Sequence, residues 1–120
     1  MRTFVVFAAL ITAIATTQHD ALNAEARPAV ALADVAVSIR TFQFAPDTLR
    51  VNAGTRVVWT NTDEIEHTIT SGTPEIQDGR FHGVVAKRGA SYSAVMKEPG
   101  TYRYFCDRHR FMNGTVIVNP

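Results

Sequence analysis

Cysteine is almost absent from this chain of 120 residues: Cys106 is the only one, so its thiol has no partner within the chain. A one-signed charge excess is missing too, with a formal net charge of +1. That balance argues against a nucleic-acid binder built on a broad basic field. No segment is of low complexity and none repeats. No window has the 3.6-residue apolar period of an amphipathic helix. No apolar run reaches the roughly 20 residues that a transmembrane helix needs. At this length the chain is one ordinary domain with little to spare.

The longest apolar run is Phe4 to Ala15, preceded by Arg2 and followed by Thr16-Thr17-Gln18-His19-Asp20. A positive start, about a dozen apolar residues and a polar exit are the layout of a secretory signal peptide. Ala-x-Ala sites at residues 13–15, 24–26, 29–31 and 31–33 offer alternative places to cut. Residues 1–33 are therefore expected to be signal and linker, and residues 34–120 the domain. Export to the periplasm follows, with no stable membrane insertion once the signal is removed. In an oxidising compartment an unpaired thiol is exposed to oxidation, and a bound metal would protect it.

From Asp34 onward the apolar period is two. Val35, Val37 and Ile39 alternate with Ala36, Ser38 and Arg40. Phe42 and Phe44 continue in shifted phase, which predicts a bend or bulge near Thr41. Further short strands are expected at Leu49–Val51, Arg56–Thr60, His67–Thr70, Ser91–Met96, Thr101–Cys106 and Gly114–Val118, with a short extended piece at Phe81–Val85 and a loop from Pro74 to Gly79. Turn residues separate them: Ala45-Pro46-Asp47, Asn52-Ala53-Gly54, Lys87-Arg88-Gly89 and Glu98-Pro99-Gly100. About seven short strands with turns at regular spacing predict an all-β antiparallel sandwich or barrel. Its expected core is Val37, Ile39, Leu49, Val57, Trp59, Ile69, Tyr102, Val116 and Val118.

The chemistry gathers near the C-terminus. Cys106 is followed three positions later by His109 and three later again by Met112. Thiol, imidazole and thioether in one short loop form a soft-metal set that lacks one ligand. Three histidines lie beyond the N-terminal region: His67, His82 and His109. His67 opens a strand after the Asn61-Thr62-Asp63 break, at an end of the sandwich, and is the better candidate. His82, beside Gly83 in a loop-like stretch, reads as a surface residue. Two imidazoles, one thiolate and a weak axial thioether make up the electron-transfer copper set. A structural zinc site could use Cys106 and both histidines but would gain little from Met112.

These residues resemble the cupredoxins, the small blue copper proteins, from about Phe42 to Val118. The carrying motifs are Asn61-Thr-Asp-Glu-Ile-Glu-His67-Thr-Ile-Thr and Gly100-Thr-Tyr-Arg-Tyr-Phe-Cys106-Asp-Arg-His109-Arg-Phe-Met112-Asn-Gly114-Thr-Val. The Cys-x-x-His-x-x-Met loop is similar to that of amicyanin and shorter than those of plastocyanin and pseudoazurin. The resemblance implies a Greek-key β-sandwich of about seven to eight strands and one copper ion, cycling between Cu(I) and Cu(II). Its ligands would be His67, Cys106, His109 and Met112.

It further implies a monomeric one-electron carrier, not an enzyme, working between a redox donor and a redox acceptor. His109 would be the surface exit, within an apolar rim that includes Phe111. Arg108 and Arg110 beside it predict a partner with acidic residues at its docking face. The alternative on the same ligands is a periplasmic copper-trafficking protein. The chain's length and few histidines exclude a multicopper oxidase. Three positions depart from the family pattern: Glu66 where Pro is frequent before the first histidine, Thr68 where Asn is frequent after it, and Arg108 with Arg110 where prolines flank the second.

Overall fold

A computed structural model describes residues 32–120. The signal-and-linker reading of the N-terminus therefore lies almost wholly outside the described residues. Nine strands follow in order: β1 (Val35–Arg40), β2 (Gln43–Ala45), β3 (Thr48–Asn52), β4 (Thr55–Asn61), β5 (His67–Gly72), β6 (Gln77–Val85), β7 (Ser91–Met96), β8 (Gly100–Phe105) and β9 (Asn113–Asn119). Among the described residues, no helix is long and apolar enough to cross a membrane.

The strands form two sheets, ordered β2-β1-β4-β7 and β3-β9-β8-β5-β6. The all-β sandwich expected from the period-two pattern is present. It is not wholly antiparallel: β1 runs parallel to β4, and β3 runs parallel to β9. Hydrophobic alternation fixes which face of a strand is buried but not its neighbour's direction, so the sequence pattern could not separate these cases. The strand expected at Phe81–Val85 is longer, beginning at Gln77 and taking in Gln77 to Gly79 from the expected loop. Those residues are mostly exposed on an outer strand, so no alternation betrays them.

The inner faces meet over Val37, Ile39, Val57, Trp59, Ile69, Tyr102, Val116 and Val118, all buried as expected. On β3 the fully buried position is Val51, and Leu49 packs only partly against the core. Trp59 is wholly enclosed between Tyr92, Phe81 and Tyr104. Gly114, where β9 begins, lies so close to Tyr104 that a Cβ would stand 2.3 Å from the ring. At the end of β5, Gly72 has φ of +105° beside a register shift in the β5–β6 ladder. A Cβ there would meet the Ile76 carbonyl oxygen at 2.4 Å, so only glycine fits this bulge.

The bend expected near Thr41 is a tight turn in which Thr41 and Phe42 both have positive φ, 53° and 59°. Left-handed backbone is uncommon for any residue with a Cβ and an outlier for a β-branched threonine. The turn moves Phe42 out of the β1 alternation and carries it to the end of the sandwich where β5 begins and β8 finishes. Phe44, two residues on, returns to the core and packs edge-on against Tyr104.

Candidate metal centre

Three elements converge at that end. His67 is the first residue of β5, Cys106 follows the last residue of β8, and His109 and Met112 lie in the loop leading to β9. Cys106 and His67 are fully buried, Met112 is buried and His109 is half-buried. His67 Nδ1 lies 3.2 Å from His109 Nδ1 and 3.8 Å from Cys106 Sγ, and His109 Nδ1 lies 3.6 Å from the same sulfur. One donor atom from each residue falls within 4.8 Å of the other two, the only such group of three or more among the described residues. Two imidazole nitrogens and a sulfur converging on one point form a donor set suited to a cation.

The loop holds its shape through its own backbone. Cys106 N–H donates to the Met112 carbonyl at 3.1 Å, and Met112 N–H donates to the His109 carbonyl at 2.8 Å. These bonds turn the loop back on itself, and the Met112 side chain is buried. The sulfur accepts the Thr68 N–H at 3.3 Å. That bond holds the sulfur in place at the head of the loop. Thr68 Oγ1 in turn accepts the Asp107 N–H at 2.8 Å, and Thr70 donates to the Asp107 carboxylate at 3.0 Å. Threonine at position 68 thus braces the loop in the place where the family pattern has Asn.

The other two departures pair with each other. Arg108 forms an ion pair with Glu66, so the residues just before the two histidines are joined. Arg110 donates to the carbonyl of Pro74. The two arginines expected to project free charge beside His109 are therefore both tied down, one of them by an acid. His82 is exposed, as expected, and lies 3.4 Å from the Asp107 carboxylate, away from the three donor atoms.

Two contributors escaped the sequence reading. Asp63, taken as part of a strand break, accepts from the N–H groups of Thr41 and Phe42 at 2.7 and 3.0 Å and lies 2.9 Å from His67 Nε2. Its position four residues before a candidate ligand was the available signal. Phe42 sets its ring edge-on to both imidazoles, 4.8 Å from His109 and 5.4 Å from His67 between centroids. With exposed Phe111, whose ring lies 6.3 Å from that of His109, Phe42 gives the site an apolar surround.

Charge follows this geometry. Burial pushes the Asp63 carboxyl up, but its two backbone donors and the His67 ring outweigh burial and leave it below the usual carboxylate range. His109 is lowered, first by burial and then by the neighbouring His67 ring and Arg108, against an opposing pull from Asp63. A lowered imidazole stays neutral and able to bind metal. Buried thiolate, two imidazoles and a thioether suit a single copper ion better than zinc, whose structural sites favour four nitrogen or thiolate ligands.

Residues 31–119 match the model of the copper-binding proteins of the plastocyanin/azurin family. Amicyanin-alpha of Methylorubrum extorquens is 32% identical over 113 residues, covering 93% of this chain and 95% of that protein. Plastocyanin of Scenedesmus fuscus is 32% identical over 83 residues, 62% of this chain and 85% of the relative. Among solved structures, a purple cupredoxin from Nitrosopumilus maritimus superposes with a TM-score of 0.66 at 27% identity, covering 72% of this chain and all of that one. A Cu(I) amicyanin variant does so with a TM-score of 0.64 at 28% identity, over 72% and 82% of the two chains.

Proposed function

The chain belongs to the plastocyanin/azurin family of copper-binding proteins, and on that premise we propose that it is an exported one-electron carrier. His67, Cys106, His109 and Met112 are its copper ligands. The observation that carries this is the convergence of His67 Nδ1, Cys106 Sγ and His109 Nδ1, with their donor atoms within 4.8 Å, above a buried Met112. Bound there, copper supplies a single-electron redox couple.

The protein's part is to hold the donors still and keep water away. His67 and Cys106 sit at strand ends, where ladder hydrogen bonds fix the backbone. The loop's internal bonds fix His109 and Met112. A frame that differs little between the two oxidation states keeps reorganisation small, and no substrate bond is made or broken. Phe42 and Phe111 flank the half-buried His109 with apolar surface, the natural contact face for a redox donor or acceptor. Arg110, and Arg108 in so far as Glu66 leaves it charge to offer, bias that face toward acidic partners. The domain of residues 34–120 works as a monomer in the periplasm, after residues 1–33 have served as signal and linker.

The test is to add Cu(II) to the metal-free protein. An electron carrier takes up one ion per chain, develops an intense visible band and cycles reversibly by one electron in voltammetry. A protein that stays colourless and binds only Cu(I) is a copper-trafficking protein instead.

A further inference from the structure

Resting on the copper assignment above, we propose that Asp63 is a positioning residue of the metal centre: its carboxylate takes the outer N–H of His67 and so fixes Nδ1 as the ligand atom. His67 is fully buried, and its Nε2 lies 2.9 Å from Asp63 Oδ2. An ionised carboxylate can only accept, so this contact requires the proton on Nε2. The lone pair is then on Nδ1, the atom that converges with His109 Nδ1 and Cys106 Sγ. Without Asp63 the ring could carry its proton on either nitrogen, and half of those arrangements would point a hydrogen at the metal position.

Asp63 is itself held. Its N–H donates to Asn61 Oδ1 at 2.9 Å, and Asn61 is buried and bonded through its amide to the carbonyls of Ile65 and Val85. The same carboxylate receives the Thr41 and Phe42 N–H groups and stabilises the left-handed turn that lays Phe42 across both imidazoles. One side chain thus sets the tautomer of a ligand and the position of the ring that covers it.

A carboxylate on the far side of an imidazole makes the ring a stronger donor, and such partners change metal affinity by about 10- to 100-fold. The stronger donor favours Cu(II) over Cu(I). For Asp63→Asn we expect Cu(II) affinity to fall by about 10- to 100-fold and Cu(I) affinity to fall less. Each tenfold loss confined to Cu(II) raises the reduction potential by about 59 mV.

Two measurements decide it. In the metal-free full chain, long-range ¹⁵N–¹H correlations of His67 should show the proton on Nε2. A proton on Nδ1, or an even mixture, overturns the proposal, and this holds even if Asp63→Asn fails to fold. In the copper protein, competition titrations in both oxidation states should show the selective Cu(II) loss in Asp63→Asn, with the potential moving upward. Phe42→Leu keeps the carboxylate–imidazole contact and should leave the His67 tautomer in place. Equal Cu(II) affinity in Asp63→Asn and native protein, or a potential shift matched in full by Phe42→Leu, overturns it. Failure of the native chain to bind copper overturns the electron-carrier reading instead, and the His67 tautomer then judges Asp63 alone.

Discussion

Glu66 and Arg108, the residues that immediately precede the two histidines of the site, form an ion pair with each other. The pair ties the start of β5 to the ligand loop across the surface. Both side chains are solvent-accessible, Arg108 at 60% and Glu66 at 30%, so the bond is screened. A double-mutant cycle with Glu66→Gln and Arg108→Gln should give a coupling in folding stability of under about 1 kcal/mol. Its larger effect is on docking. Glu66→Gln should leave Arg108 unopposed and speed association with an acidic partner. Arg108→Glu with Arg110→Glu should slow it and invert its dependence on salt, as followed by stopped-flow kinetics at varied ionic strength.

Thr68 Oγ1 takes the Asp107 N–H at the edge of the metal site. Thr68→Val keeps the shape and the Thr68 N–H bond to sulfur but leaves that amide without its acceptor. A partly buried donor left unpaired costs about 1–3 kcal/mol. Denaturant unfolding of the metal-free protein should show a loss of that size, while the visible band of the copper form survives in position.

Tyr104 is buried, and burial pushes its phenol up to about 12, with a small opposing effect from the Trp59 indole and a small addition from Asp47. A raised acid favours the fold only while neutral. The stability that depends on the neutral phenol is thus complete below the unfolded value near 10 and drains away as pH rises from about 10 to 12. At about 1.4 kcal/mol per pH unit, the loss is about 2–3 kcal/mol. Tyr104→Phe should lack this component, and comparing the two proteins' unfolding curves across that range isolates it. Tyr104 Oη also has no hydrogen-bond partner, so the same substitution should cost little at neutral pH.

Gly114→Ala places a methyl group 2.3 Å from the Tyr104 ring. Both sides of that contact are enclosed, so the ring or β9 must shift. Overpacking of this kind costs about 1–3 kcal/mol. Because Gly114 is the second residue of β9, directly after the ligand loop, the thermal midpoint should fall and copper uptake should slow together. Gly89→Ala, at a turn glycine whose added Cβ meets nothing within 4 Å, should lower the midpoint less and leave copper uptake unchanged.

Much of this was legible in the residues because burial alternates along strands. Val37, Ile39, Val57, Trp59, Val116 and Val118 announce a sheet interior by position alone. The spacing of Cys106, His109 and Met112 announces soft-metal chemistry, and the break before His67 places the remaining imidazole at a strand start. What stayed hidden depends on pairs distant in sequence. Nothing local to Glu66 points to Arg108, more than forty residues away. Asp63 stands four residues before His67, a local hint of that contact, but nothing nearby says that the same acid also reaches the turn at Thr41. The parallel pairings were hidden for the same reason, since alternation describes one strand's faces and is silent about its neighbours.

β9 lies between β3 and β8, running parallel to one and antiparallel to the other. It is also the last of the described strands. Every metal-binding side chain precedes it, so a chain cut after Met112 would carry the whole donor set and no frame to hold it. Until residues 113–119 arrive, β3 has no sheet partner and β8 has a bare edge beside the cysteine. Pairing across so many residues is slow compared with local hairpins. The frame that would select a metal by its geometry therefore depends on a strand that carries none of the proposed ligands itself.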